Sequence, residues 1–147
     1  MMKIAMACDH GALDYKEEIK EMLIKMGYEV KDFGCYTTDS VDYPDMVKPA
    51  CEAVANKEFE RGIILCGTGI GVSITANKIK GVRCALVSDC FSAKATRDHN
   101  DTNVLAMGQR TIGIELAKEI TRIWLETPFS NDPRHQRRID KIMALED

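Results

Sequence analysis

Short apolar runs that read as strands alternate along this chain with stretches whose apolar positions recur at helical spacing. Lys3 to Cys8 is a mostly apolar run that stops at Asp9-His10-Gly11, the pattern of a buried strand. From Leu13 to Met26, the residues Tyr15, Ile19, Met22, Leu23 and Met26 share one helical face, with Lys and Glu on the other. Gly27 stands where a helix C-cap glycine belongs. Tyr28 to Phe33 alternates apolar and charged residues as a sheet-edge strand does, and Gly34 ends it. A polar loop from Cys35 to Tyr43 leads to Pro44, which suits the first turn of a helix reaching about Lys57. Ile63-Ile64-Leu65-Cys66 is the most strand-like segment and runs straight into Gly67-Thr68-Gly69-Ile70-Gly71. Beyond it the pattern predicts a helix over Val72 to Lys78, a fourth strand over Val82 to Val87 and a helix over Cys90 to Asp98. His99 to Asn103 reads as a polar loop, and Val104 to Met107 as a fifth strand. Ile112, Leu116, Ile120, Ile123 and Trp124 mark a long helix, and a last one runs from about Pro133 to Leu145.

Strands that alternate with helices predict an α/β fold, a parallel five-stranded sheet covered on both faces, in a single domain over 1–147. Ligands of such folds bind beyond the carboxyl ends of the strands, where the strand order reverses. With the first strand beside the third, Asp9, His10 and Cys66 all open on one crevice.

Composition narrows the partners. The 147 residues are 45% hydrophobic and 29% charged, with a formal net charge of −3, which gives no electrostatic reason to expect nucleic acid or a membrane surface. No apolar run approaches the roughly 18 residues of a membrane span. The apolar start of the chain is too short for a signal peptide, so a cytoplasmic protein is expected. The six cysteines are scattered, with no CxxC pair, in a chain large enough to fold without staples, so they are read as reduced thiols.

The glycine-rich turn after Cys66 exposes backbone N–H groups where a helix begins, which suits an anion. It is not a P-loop, because Ile70-Gly71-Val72-Ser73 lacks Gly-Lys-Ser/Thr, and position 72 is valine where a dinucleotide fingerprint needs its third glycine. No nucleotide cofactor is expected. Cys66 beside such a nest can supply a thiolate, and the same N–H groups can hold a developing oxyanion. Together they suit acyl transfer or proton abstraction next to a carbonyl. Taken alone, Cys66 is equally a small buried hydrophobe that ends a strand. His10 and His99 both read as loop residues at the ligand-binding end, with His99 a candidate acid or base for proton transfer between oxygens. Arg134 and Arg138 are four apart on a helix, so they can grip a phosphate together or form a solvated face.

In shared order and spacing, six segments of the chain resemble the type B ribose-5-phosphate isomerases and their galactose- and allose-6-phosphate isomerase relatives. They are Cys8-Asp9-His10-Gly11-Ala12, Asp42-Tyr43-Pro44-Asp45, Cys66-Gly67-Thr68-Gly69-Ile70-Gly71, Asp98-His99-Asn100, Asn103-Val104-Leu105 and Arg134-His135-Gln136-Arg137-Arg138. The resemblance runs essentially end to end and implies a Rossmann-like three-layer α/β/α domain. It also implies a homodimer whose active sites draw on both subunits, or a tetramer of such dimers, with the last helix packed on the partner. By the same resemblance, Cys66 is the base that moves the C1/C2 proton and Thr68 helps to orient the substrate. Backbone N–H groups from Gly67 through Gly69 and Gly71 to Ser73 hold the enediolate oxygen. His99 and Asp9 assist opening of the furanose ring, and Tyr43 and Asn100 contact the sugar. His10, Arg134 and Arg138 hold the phosphate, with Arg110 close by. No metal or organic cofactor is implied.

Retention of both Cys66 and His99 favours ribose 5-phosphate, because galactose relatives divide these residues between unlike subunits. Allose 6-phosphate is the nearest alternative substrate. Two further readings are a non-catalytic sugar-phosphate binder and a thiol hydrolase with Cys66 as nucleophile and His99 as its base.

Overall fold

Successive strand residues face opposite sides of a sheet, and the two faces here carry side chains of different size. The computed structural model describes residues 2–146. Its strands are β1 (Lys3–Cys8), β2 (Glu29–Asp32), β3 (Arg61–Cys66), β4 (Cys84–Leu86) and β5 (Val104–Gly108). They form one parallel sheet in the order β2-β1-β3-β5-β4, with Cys8 level with Leu65 and Cys66 level with Gly108. Between them lie α1 (Leu13–Lys25), α2 (Tyr43–Ala55), α3 (Ile70–Ala76) and α4 (Cys90–Asn100), followed by α5 (Ile114–Glu126) and α6 (Pro133–Met143).

Ile4, Met6, Ile63, Leu65, Leu105 and Met107 pack with Ile19 and Leu23 of α1 and with Ile120 and Trp124 of α5. Ala5, Ala7, Ile64, Cys66, Val104 and Ala106 meet Val47, Ala50 and Val54 of α2 and Val72 of α3. Helices therefore cover both faces, giving the three-layer arrangement. The chain leaves β1 for β2 on one side and returns to β3 on the other, so the carboxyl ends of β1 and β3 border the switch point where ligands bind. Among the described residues no helix is long and apolar enough to cross a membrane, and the six cysteines are free thiols.

Several boundaries move by one or two residues from the sequence pattern, and three of the shifts have a visible local cause. First, α3 begins at Ile70 rather than Val72, because Gly69 takes a left-handed turn (φ 77) and the Thr68 hydroxyl accepts the Ile70 N–H at 3.2 Å. Second, β4 is confined to Cys84–Leu86. The Asn77 side chain donates to the Cys84 carbonyl and accepts its N–H, at 3.0 and 2.9 Å, which blocks this edge against a further strand. Third, α4 continues through His99 to Asn100 before Asp101 ends it in a left-handed turn (φ 45).

Candidate active site

Cys66 is the last residue of β3, and its sulfur accepts the Gly69 N–H at 3.1 Å. Only glycine fits at 69. Besides its positive φ, a β-carbon there would lie 2.5 Å from Leu86 Cδ1 and 2.9 Å from the Met107 carbonyl carbon. The Thr68 hydroxyl oxygen accepts the Ile70 N–H, which leaves its O–H free to donate outward. Ser73, expected to bind substrate, spends its N–H on the Gly69 carbonyl (3.1 Å) and its hydroxyl on the Ile70 carbonyl (2.8 Å). The Gly71 and Val72 N–H groups in the first turn of α3 have no intrahelical carbonyl to meet.

The first turn of the chain abuts this loop. A β-carbon on Gly11 would touch both Asp9 Oδ1 (3.3 Å) and the Gly67 nitrogen (3.4 Å), so Asp9 and Gly67 are neighbours. Asp9 is 9% exposed and holds the turn by accepting the Gly11 N–H at 2.9 Å. His10 Nδ1 accepts the Val41 N–H at 3.2 Å. An acceptor nitrogen carries no proton, so a neutral His10 has its N–H on Nε2, ready to donate to an anion. The Arg110 side chain lies along Gly67, within 3.4 Å of where a β-carbon would stand, and the Arg110 N–H donates to the Gly67 carbonyl at 2.9 Å. Tyr43 opens α2 and lays its ring over Gly71. Asp9, His10, Tyr43, Cys66, Thr68 and Arg110 thus converge at the carboxyl end of the sheet, as the topology predicted for Asp9, His10 and Cys66.

His99, Asn100, Arg134 and Arg138 are elsewhere. Spacing placed His99 in a loop at the same end as His10, but it sits in the last turn of α4, which has carried the chain back to the amino end of the sheet. Asn103 accepts the Gly62 N–H there. The strand from Gly62 to Cys66 spans about 13 Å at the usual rise. A thiol hydrolase that pairs Cys66 with His99 therefore has no support within one chain. Arg134 is exposed at the start of α6 and lies 3.5 Å from Asp132, and Arg138 is exposed one turn later. Asn100 Oδ1 accepts from the Thr96 hydroxyl at 3.2 Å. It lines a cavity of about 580 Å³ at this far end, with Arg83, Ile79, Ala85, Ile142 and Leu145. One residue that sequence reasoning left without a role is His135, whose ring stacks on His99. Its only signal was its place between Arg134 and Arg138. Among the described residues no group of three or more His, Cys, Asp or Glu could hold a metal ion.

A family model described as Ribose/Galactose Isomerase matches residues 4–142. The chain is 56% identical over 147 residues to YwlF of Bacillus subtilis strain 168, whose name marks it provisionally as a sugar phosphate isomerase; the match covers 99% of this chain and 98% of that protein. It is 45% identical over 146 residues to ribose-5-phosphate isomerase B of Escherichia coli K12, covering 99% and 97%. The solved structure of ribose-5-phosphate isomerase B from Clostridium thermocellum matches with a TM-score of 0.96 at 46% identity, again covering 99% and 97%.

Proposed function

The chain belongs to the ribose/galactose isomerase family, and on that premise we propose that it interconverts D-ribose 5-phosphate and D-ribulose 5-phosphate through a cis-enediolate, with Cys66 as the base. It is an aldose–ketose isomerase, as its relatives are. The observation that carries the finer reading is the Cys66 sulfur at the end of β3, with the Gly69 N–H aimed at it from 3.1 Å inside the glycine loop.

These positions support the following chemistry. In the opened aldose the Cys66 thiolate takes the C2 proton, and the C2–H electrons form the C1–C2 double bond as the carbonyl electrons move onto O1. First-turn N–H groups at Gly71 and Val72 and the Thr68 O–H are the donors suited to that oxyanion. Cys66 returns the proton to C1 while the O2 proton passes to O1, which leaves O2 as the ketone oxygen and O1 as the C1 hydroxyl. Positioned proton transfer of this kind contributes about 10²- to 10⁴-fold. Phosphate anchoring supplies a further share by holding C2 near the sulfur.

Each chain carries two half-sites. The thiolate half is at the carboxyl end of the sheet, and a second half with His99, Asn100, Arg134 and Arg138 is at the amino end. A symmetric dimer in which one chain's α4–α6 end meets its partner's glycine loop would complete both sites. Ile70 (51% exposed), Ile74 (58%) and Leu86 (43%) leave an apolar surface beside that loop, and α6 buries only Ile139 against its own chain among the described residues.

Conversion of ribose 5-phosphate by the purified protein, with EDTA present and allose 6-phosphate in parallel, tests the proposal. Rapid conversion of the pentose, lost in Cys66→Ala, is the expected result. Conversion of the hexose alone would move the substrate to the longer sugar. Failure of both in a well-folded protein would leave a binding role.

A further inference from the structure

His135, the third residue of α6, stacks on His99, with ring centroids 4.4 Å apart and planes inclined by 23°. The helices that carry the two rings are joined on either side of the pair. Before α6, Ser130 ties to the carbonyl of Asp98, the residue next to His99, through its hydroxyl (2.7 Å) and its N–H (3.4 Å). Asp132 caps α6 by accepting the Arg134 N–H at 2.8 Å. After the stack, Ile139 is buried to 4% exposure. The groups around His135 are His99 and Asp98 of α4, Asp132 at the cap, and Arg134 and Arg138 of its own helix. Asp98 is engaged with Lys94 at 2.9 Å.

We propose that His135 is a positioning residue for opening of the sugar ring: its imidazole, stacked on that of His99, fixes the plane in which His99 exchanges protons with the substrate. This rests on the reading of His99 as the acid and base of ring opening. In that step the O1 hydroxyl gives up its proton, the C1=O1 bond forms as the C1–O4 bond breaks, and O4 gains a proton. A shuttle between two oxygens of one ring needs a nitrogen held to a narrow range of directions. An imidazole at the end of a helix, with both torsions free, does not hold such a range by itself. A flat neighbour at stacking distance does. Loss of water around the rings, then the His99 charge, lowers the proton affinity of His135, with Arg134 and Arg138 adding to this and Asp132 opposing it.

Ring opening can be separated from proton transfer at carbon, because ribulose 5-phosphate carries its phosphate on O5 and cannot close a furanose. Two measurements on wild type, His135→Ala and His135→Phe therefore divide the steps. One is turnover of ribose 5-phosphate, which needs ring opening. The other is uptake of deuterium from D₂O at C1 of ribulose 5-phosphate, which needs proton transfer at carbon and substrate binding but no ring opening. His135→Ala is expected to lower kcat for ribose 5-phosphate on the order of tenfold with KM unchanged, and to leave deuterium uptake within about twofold. His135→Phe, which keeps the flat ring, is expected to recover most of the loss. An equal fall in both rates would overturn the proposal, as would a raised KM with kcat intact or an alanine variant as fast as wild type. A readout independent of activity is the NMR signal of the His99 ring protons. The stack should shift them upfield in wild type and His135→Phe, and release them in His135→Ala. If the wild-type enzyme isomerised neither sugar, the functional reading would fall, and this shift would still decide the stack: ring protons unmoved by His135→Ala would sink it.

Discussion

The ring of Tyr43 lies against Gly71 so closely that a β-carbon at position 71 would stand 2.5 Å from Tyr43 Cζ and 2.6 Å from Cε1. No side chain fits there unless the tyrosine moves, and both residues border the loop that follows Cys66. Gly71 is therefore needed for space, whereas Gly69 is needed for its backbone turn as well.

The two glycines should fail differently. Gly71→Ala displaces Tyr43, a flexible side chain that is 39% exposed, so the fold is expected to survive while kcat/KM falls on the order of 10²-fold through misplaced sugar contacts. Gly69→Ala meets the Met107 backbone at 2.9 Å as well as demanding a left-handed alanine, so a lowered Tm should accompany its loss of activity. Thermal unfolding of the two variants side by side checks this. Equal Tm losses would mean that Tyr43 cannot swing aside.

Cys66 and His99 at opposite ends of one chain make a mixing experiment decisive. Cys66→Ala and His99→Asn should each be nearly inactive alone. In a shared-site dimer, a mixed pair puts both defects into one site and leaves the other intact. Unfolding and refolding an equal mixture should restore about a quarter of wild-type activity. No recovery in a mixture that forms mixed dimers would mean that each site is built from a single chain.

A buried lysine anchors the strand beside the first turn. Lys16 is fully buried, and its ammonium meets Asp32 Oδ1 at 2.8 Å and donates to the Cys35 carbonyl, while Lys20 takes Asp32 Oδ2 at 2.9 Å. Burial pushes the Asp32 carboxyl up, but hydrogen bonds from Lys16, Lys20 and the Gly34 N–H outweigh it and hold the group below the usual carboxylate range. A depressed folded-state pKa contributes stability that is fully present above the unfolded value of about 3.9 and lost as pH falls through the folded one. Acid titration of stability should therefore show a loss beginning near pH 4 that is missing in Asp32→Asn. At pH 7 that variant strands the Lys16 charge and is expected to cost about 3 kcal/mol by urea unfolding. An unchanged urea midpoint would mean that Glu17, 3.6 Å from Lys16, takes over as its partner.

Much of the molecule was readable from local pattern. Alternating strand and helix periods located all five strands and six helices to within a few residues, because burial of one face imposes a period that survives in sequence. Asp9, His10 and Cys66 could be placed at one crevice because each ends or follows a strand, and parallel strands share a direction. The limits of α3 and β4 depended on the Thr68 hydroxyl and the Asn77 amide, side chains that reach the backbone and leave no periodic trace.

The sequence by itself determined the fold class, the glycine loop after Cys66 and the family of which both are part. Tertiary structure alone decided which candidates meet. His99 reads like a loop residue beside the site, but α4 holds it through eleven residues, about 16 Å of helix, and delivers it to the opposite end of the sheet. Its neighbour there, His135, is thirty-six positions further along, and Tyr43 meets Gly71 across twenty-eight. Such contacts follow from how layers pack rather than from any period along the chain, and periods are all that a single sequence displays.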